Sequence, residues 1–246
     1  MKEVAFRVEN LTKKYKDVVA VDNVTLDVFD KELFCLLGLN GAGKTTFVKM
    51  MTSVADCTSG EIYVLGEKWS KNDYTKKGVV ASSPQETAIA PNLTAKENLS
   101  LMAALHGKTK KQAQEKVQEI VSRFGLDEIL NKKAGTLSGG WQRRLSIAMA
   151  LVCEPKILFL DEPTLGLDVV ARRELWSIVR SLKGKICVVL TTHYMEEAES
   201  LSDRIGVMKN GKILFVGTPN DLKERTNTNS VEEGFLEIVA KGDNAV

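Results

Sequence analysis

Hydrophobic and polar residues alternate with period two at Val4, Phe6 and Val8, and again at Val24, Leu26 and Val28. This predicts two strands of an antiparallel sheet with one solvated face. Leu33 to Leu37 is instead a continuous apolar run that ends in a glycine-rich turn, followed by a short helical pattern over Thr45 to Met51. The order expected there is strand, turn, helix. Ile62 to Leu65 and Val79 to Ala81 read as further short strands, and Pro84 and Gln85 open a loop. From Thr94 to about Leu151 the texture is helical. Thr94 and Glu97 have capping-box spacing, and Val117, Ile120, Val121 and Phe124 share one face of a helix over Lys110 to Phe124. Buried-type strands return at Ile157 to Leu160 and Ile186 to Thr191, separated by a helix with Ala171, Leu175, Ile178, Val179 and Leu182 on one face. Asn210 and Gly211 predict a hairpin between Ile205–Met208 and Lys212–Val216, and Thr218 and Pro219 start a last short helix. Arg225 to Ser230 is expected to be flexible, within a polar C-terminal segment over 225–246.

Composition narrows the classes. The chain has 246 residues, 43% hydrophobic and 27% charged, which excludes disordered and collagen-like types. A net charge of +2 is too weak a field to draw nucleic acid or an anionic membrane, so partners must be inferred from sites. The basic pairs Lys132-Lys133, Arg143-Arg144 and Arg172-Arg173 are scattered and read as solvated helix faces. No apolar stretch approaches the roughly 20 residues that cross a bilayer. Met1 to Tyr15 is interleaved with charges, so the chain is expected in the cytoplasm or on a cytoplasmic face. Cys35, Cys57, Cys153 and Cys187 form no CxxC pair and read as reduced thiols.

Three motifs carry chemistry. Gly38-Leu39-Asn40-Gly41-Ala42-Gly43-Lys44-Thr45 satisfies the phosphate-loop pattern, in which glycines let successive N–H groups curl around an anion. Lys44 then reaches the β- and γ-phosphates and Thr45 a magnesium ion. Gly38, Asn40, Gly41, Gly43, Lys44, Thr45 and Thr46 are the nucleotide-binding candidates. Ile157 to Leu160 delivers Asp161 and Glu162 to a strand end, where open α/β sheets bind ligands. Asp161 suits Mg2+ and Glu162 the attacking water. Leu137-Ser138-Gly139-Gly140 precedes a helix, so the Ser138 hydroxyl and the first-turn N–H groups, including those of Gly139 and Gly140, form a second anion site.

In this order the motifs resemble the ATP-binding subunit of an ATP-binding cassette (ABC) transporter, from about Val4 to Leu222. The resemblance adds Tyr15, Gln85, Pro163-Thr164, Gly166-Leu167-Asp168 and His193 to the set. It implies that Tyr15 stacks on adenine, that Gln85 contacts Mg2+ and the attacking water, that Asp168 makes a cross-subunit contact, and that His193 senses the γ-phosphate. Glu162, His193 and Gln85 are then the catalytic set, and Thr45, Gln85 and Asp161 the metal set.

The fold implied is α/β: a P-loop NTPase core with a parallel sheet, an N-terminal antiparallel β-subdomain and an α-helical subdomain inserted at about 86–150, all in one ATPase domain over 1–246. The resemblance also implies ATP and Mg2+ as cofactors, a transmembrane permease subunit as partner, and ATP sandwiched head to tail in a homodimer or with a second ABC ATPase subunit. Nucleic acid is not an expected partner, and the expected location is peripheral, on the cytoplasmic face of the cell membrane. LSGGWQRRL over Leu137 to Leu145 and TTHYMEEAE over Thr191 to Glu199 look like the export-type branch. Trp141 departs from the usual glutamine of the signature, and Leu165 stands where serine is frequent. An alternative is a non-transport ABC-type ATPase acting on nucleic acid or ribosomes. A GTPase shares the phosphate loop but needs an Asn-Lys-x-Asp motif, and Asn131-Lys132-Lys133 is followed by Ala134.

Overall fold

A computed structural model describes residues 3–69 and 78–243. In chain order the elements are β1 (Val4–Tyr15), β2 (Val18–Phe29), β3 (Leu33–Leu37), α1 (Lys44–Met51), β4 (Ser59–Val64), β5 (Glu67–Lys68), β6 (Val80–Ser83), α2 (Ala95–Leu105), α3 (Lys110–Phe124), α4 (Gly139–Val152), β7 (Ile157–Asp161), α5 (Val169–Leu182), β8 (Cys187–Thr192), α6 (Met195–Leu201), β9 (Arg204–Lys209), β10 (Lys212–Gly217), α7 (Pro219–Thr226) and α8 (Val231–Asp243). The chain divides into two compact units, one of Met1–Tyr74 with Leu182–Val246 and the other of Thr75–Ser181. Together the elements make the mixed α/β architecture expected, with parallel strands, an antiparallel β-subdomain and a helical block.

The first unit contains an antiparallel sheet in the order β2-β1-β4-β5. β1 and β2 are longer than the alternation suggests. Their pairing shifts register between Val8 and Leu11, and Asn10 and Asn23 take positive φ of 50° and 51° there. Asparagine tolerates that left-handed geometry, so each strand bulges and then resumes its period. A second set of strands runs β10-β9-β3-β8, with β3 parallel to both β8 and β9. β3 and β8 are buried along their whole lengths, which is why Leu33–Leu37 and the stretch from Cys187 to Leu190 read as unbroken apolar runs. The β9–β10 hairpin turns through Asn210 and Gly211, with φ of 47° and 80°, the paired positive values a two-residue turn demands.

The C-terminal segment, expected to be polar with a flexible stretch at Arg225 to Ser230, holds a helix on each side of residues 227–230. α7 runs to Thr226, and α8 forms over Val231–Asp243, packing against α6, α7, β9 and β10. Val231 and Phe235 are fully buried and Ile238 nearly so. That i, i+4, i+7 spacing is helical, but Gly234 and the surrounding charges disguise it in the sequence. Residues 244–246 lie outside the described residues.

In the second unit β6 and β7 pair in parallel, from Val80↔Ile157 to Ser83↔Leu160. α2, α3 and α4 pack on one another, and α4 also packs on β6 and β7. Thr94 with Glu97, and Thr109 with Gln112, close complete capping boxes on α2 and α3. Among the described residues no helix is long and apolar enough to cross a membrane. Cys35 and Cys187 are buried in β3 and β8, while Cys57 is exposed. Burial pushes the Cys187 thiol well above its usual range and the Cys153 thiol up to about 11, so both are protonated at neutral pH.

Candidate functional site

In the first unit the chain leaves β3 at Gly38, whose N–H donates to Thr192 O at 3.2 Å. A Cβ on Gly38 would lie 2.5 Å from Met208 O, and one on Gly43 2.3 Å from Ala20 O. Gly43 also has φ of +108°, so the loop packs against β2 and β9 only because these residues lack side chains. Ala42 N–H bonds Leu39 O at 3.2 Å, and Gly211 N–H bonds Ala42 O at 2.9 Å, which fixes the curl.

α1 starts at Lys44, so its first-turn N–H groups open where the loop ends. The Lys44 side chain is 5% exposed and folds back, its Nζ donating to Gly38 O at 2.7 Å and Leu39 O at 3.2 Å. A buried cation and a helix N-terminus thus meet in one small loop, the arrangement that receives a phosphate group. Thr45 and Thr46 sit half-buried in the same turn, and Asn40 and Gly41 are exposed at the rim.

His193 directly follows Thr192 and so emerges beside Gly38. Its ring lies on Tyr194, with centroids 4.1 Å apart. Tyr15 ends β1 opposite Val18, two residues from the Ala20 that Gly43 approaches. Tyr15 is 45% exposed, with Lys13 Nζ 4.8 Å from its ring centroid.

Gly43→Ala is expected to weaken nucleotide binding at least tenfold, because backbone oxygen must move to admit the methyl group. Gly41→Ala also meets an unfavourable φ, +81°, but has nothing within 4 Å; it should cost only about 1–2 kcal/mol of backbone strain. Titration of both variants with a fluorescent ATP analogue tests that order.

In the second unit β6 and β7 end side by side, so Gln85 and the pair Asp161-Glu162 leave the same end of parallel strands. Asp161 is 3% and Glu162 6% exposed, whereas Gln85 is exposed in its loop. Glu162 has φ of +46°, a left-handed conformation that costs a β-carbon-bearing residue of order 1–2 kcal/mol. Leu165 N–H bonds Glu162 O at 3.2 Å and closes the turn.

Ser138 caps α4 through its backbone, its C=O accepting from Gln142 N–H at 2.9 Å, but its hydroxyl makes no capping bond. N3 is Trp141, which has no acceptor, so the reciprocal bond that Glu97, Gln112 and Asp221 return at Thr94, Thr109 and Thr218 is missing as well. Ser138 and Gly139 are exposed, so hydroxyl and first-turn N–H groups face solvent.

The ABC transporter family pattern matches residues 21–165. The chain belongs to the ABC transporter family. It is 40% identical over 237 residues to the uncharacterized ABC transporter ATP-binding protein YxlF of Bacillus subtilis (strain 168), covering 94% of this chain and 79% of the relative. To the probable multidrug ABC transporter ATP-binding protein YbhF of Escherichia coli (strain K12) it is 36% identical over 247 residues, covering 98% of this chain but only 43% of that relative's length. Among solved structures, the dimeric post-hydrolysis state of the ATP-binding cassette MJ0796 bound to ADP and Pi matches with a TM-score of 0.79 at 27% identity, over 87% of this chain and 98% of that one.

Among the residues the ABC resemblance singled out, the first unit brings His193 to the phosphate loop through Gly38 and Thr192. The second brings Gln85, Asp161 and Glu162 to one strand end and sets Ser138, Gly139 and Gly140 at the open start of α4. Asp168 also has a local task, its Oδ1 accepting from Val170 and Ala171 N–H, both at 2.9 Å, and so capping α5. Trp141, the departure from the family signature, lies against the Arg144 guanidinium at 4.4 Å, and Arg144 pairs with Glu174. Arg143 overturns the expectation of a solvated basic pair, for it is 4% exposed. The hydroxyl of Thr45, the amide oxygen of Gln85 and the carboxylate of Asp161 are hard oxygen donors, the kind that suit Mg2+ beside phosphate.

Proposed function

We propose that this chain binds ATP with Mg2+ and hydrolyses it to ADP and phosphate, as the engine of a transporter whose membrane-spanning part is a separate permease. The observation that carries the reading is the glycine loop closed on the buried ammonium of Lys44 at the start of α1. Lys44 and the N–H groups of the loop hold the β- and γ-phosphates, and Tyr15 stacks on adenine. Thr45, Gln85 and Asp161 would hold the metal, which when bound would neutralise phosphate charge. Glu162 accepts the proton of the attacking water, Gln85 orients that water, and His193 donates to the γ-phosphate.

Two copies sandwich two ATP molecules head to tail. Ser138, Gly139 and Gly140 of one copy meet the γ-phosphate held by the other, with Asp168 at the same seam. The uncapped Ser138 hydroxyl supports this, since a serine that served only its own helix would have turned to its first-turn N–H groups. The exposed apolar side chains of Leu165, Val169 and Val170 beside Asp168 support it too. Because ATP bridges the copies and ADP does not, hydrolysis separates them.

The likeness to the export branch at Leu137–Leu145 and Thr191–Glu199, and a relative named a probable multidrug transporter, support export as the direction. The chain then works at the cytoplasmic face of the membrane as a peripheral subunit. Phosphate release from ATP should require Mg2+, stop on chelation and exceed release from GTP; absence of both binding and turnover with ATP would contradict the assignment. The native assembly should co-purify with an integral membrane protein. Co-purification with nucleic acid instead would move the chain to the non-transport class.

A further inference from the structure

The sequence presents Arg143 as half of a basic pair, yet its guanidinium is buried among backbone carbonyls. Nε donates to Pro163 O at 2.9 Å, one terminal nitrogen to Asp161 O at 2.5 Å, and the other to Pro84 O and, at 3.3 Å, to Gln85 O. The four acceptors lie on two segments: Pro84-Gln85 just beyond β6, and Asp161 to Pro163 at the end of β7. The paired ladder of β6 and β7 stops at Ser83↔Leu160. Past that point Arg143, reaching in from α4, supplies donors that the ladder no longer provides.

Glu162 sits between two of these carbonyls. Asp161 O belongs to the peptide entering Glu162, and Pro163 O lies one residue beyond it. The guanidinium therefore grips the turn on both sides of a residue held at φ of +46°, a conformation that persists only where its surroundings enforce it. A guanidinium carries five N–H donors in a rigid plane and stays charged. A lysine ammonium is a compact point charge whose donors cannot reach both segments in one fixed geometry.

We infer that Arg143 is a positioning residue of the hydrolysis reaction: it locks the Gln85 loop to the Glu162 turn, so that the side-chain amide and the carboxylate are aimed at the same water. The inference rests on the roles proposed above for Gln85 and Glu162. It separates binding from chemistry, because the phosphate loop belongs to other segments of the chain and none of the four carbonyls is part of it.

Steady-state ATP hydrolysis, ATP affinity and melting temperature, measured on the full chain and on Arg143→Lys, Arg143→Ala, Ser146→Ala and Glu162→Gln, test this. Ser146 hydrogen-bonds Ser83 at 2.9 Å and ties α4 to β6 without touching the four carbonyls, so its variant reports simple loosening of that packing. Arg143→Lys is expected to lower kcat about 100-fold, the scale of a misplaced reacting group, with KM and ATP affinity within threefold of the parent. Millimolar guanidinium should restore kcat at least fivefold in Arg143→Ala and leave the parent unmoved. Ser146→Ala should stay within twofold in kcat.

A lysine variant with kcat within threefold of the parent would overturn the inference. So would a folded alanine variant that guanidinium does not rescue, or an equal kcat loss in Ser146→Ala at the same melting temperature. Should Arg143→Ala fail to fold, the charge-retaining lysine variant decides the matter alone. If the parent hydrolyses ATP and Glu162→Gln does not, an active lysine variant sinks only the role of Arg143. If Glu162→Gln hydrolyses as fast as the parent, the proposed role of Glu162 has failed first.

Discussion

Lys44→Ala is expected to abolish tight ATP binding and to lower kcat/KM by about 10²–10³, equivalent to roughly 3–4 kcal/mol, the scale of losing one preorganised charge contact. The ammonium of Lys44 is desolvated and held by Gly38 O and Leu39 O. Little reorganisation is needed when phosphate oxygens replace part of that shell, and in a low-dielectric pocket the charge acts at greater strength than in water. Alanine removes the charge and also leaves two loop carbonyls without their donor. Calorimetric titration with ATP and Mg2+ should register no saturable binding in the micromolar range. Unchanged affinity and turnover would contradict the reading of the loop.

Glu162→Gln should have the opposite signature, with ATP affinity within a few-fold of the parent and turnover reduced about 10²–10³, near the scale assigned to general-base catalysis. Glutamine matches glutamate in shape and leaves the turn intact, including the Leu165 N–H to Glu162 O bond. It cannot take a proton from water at neutral pH. Since hydrolysis is what releases the proposed sandwich, this variant should run as a dimer on gel filtration in ATP and Mg2+ and as a monomer without nucleotide. Turnover equal to the parent would remove Glu162 from the chemistry, and a monomer under every condition would count against the sandwich.

Much of the fold is legible because strands buried on both faces leave unbroken apolar runs, as at Leu33–Leu37 and Ile157–Leu160, and glycine or paired acids stand where such runs stop. The phosphate loop is equally visible, because its chemistry needs fixed residue types at fixed spacing. Arg143 is not legible. Its acceptors are carbonyls 18, 20, 58 and 59 residues away in the chain, and any residue type presents a carbonyl, so no pattern of letters marks the contact. The positive φ of Glu162 escapes for the same reason, since tertiary constraint imposes it against local preference. α8 was legible in principle: Val231, Phe235 and Ile238 repeat at helical spacing, but two glycines and five charged residues in thirteen dilute the signal.

The claim on which the rest depends is that each active pocket is shared between two copies, and mixing two inactive variants tests it most directly. Lys44→Ala and Ser138→Ala should each be nearly inactive alone, one for want of its own phosphate grip and the other for want of the hydroxyl it lends. In an equimolar mixture half of the dimers combine the two variants, and each of those has one pocket with both Lys44 and Ser138. Phosphate release should therefore recover to about a quarter of the parent rate under random pairing of a two-fold dimer. A mixture no more active than the mean of the separate variants would contradict the shared pocket.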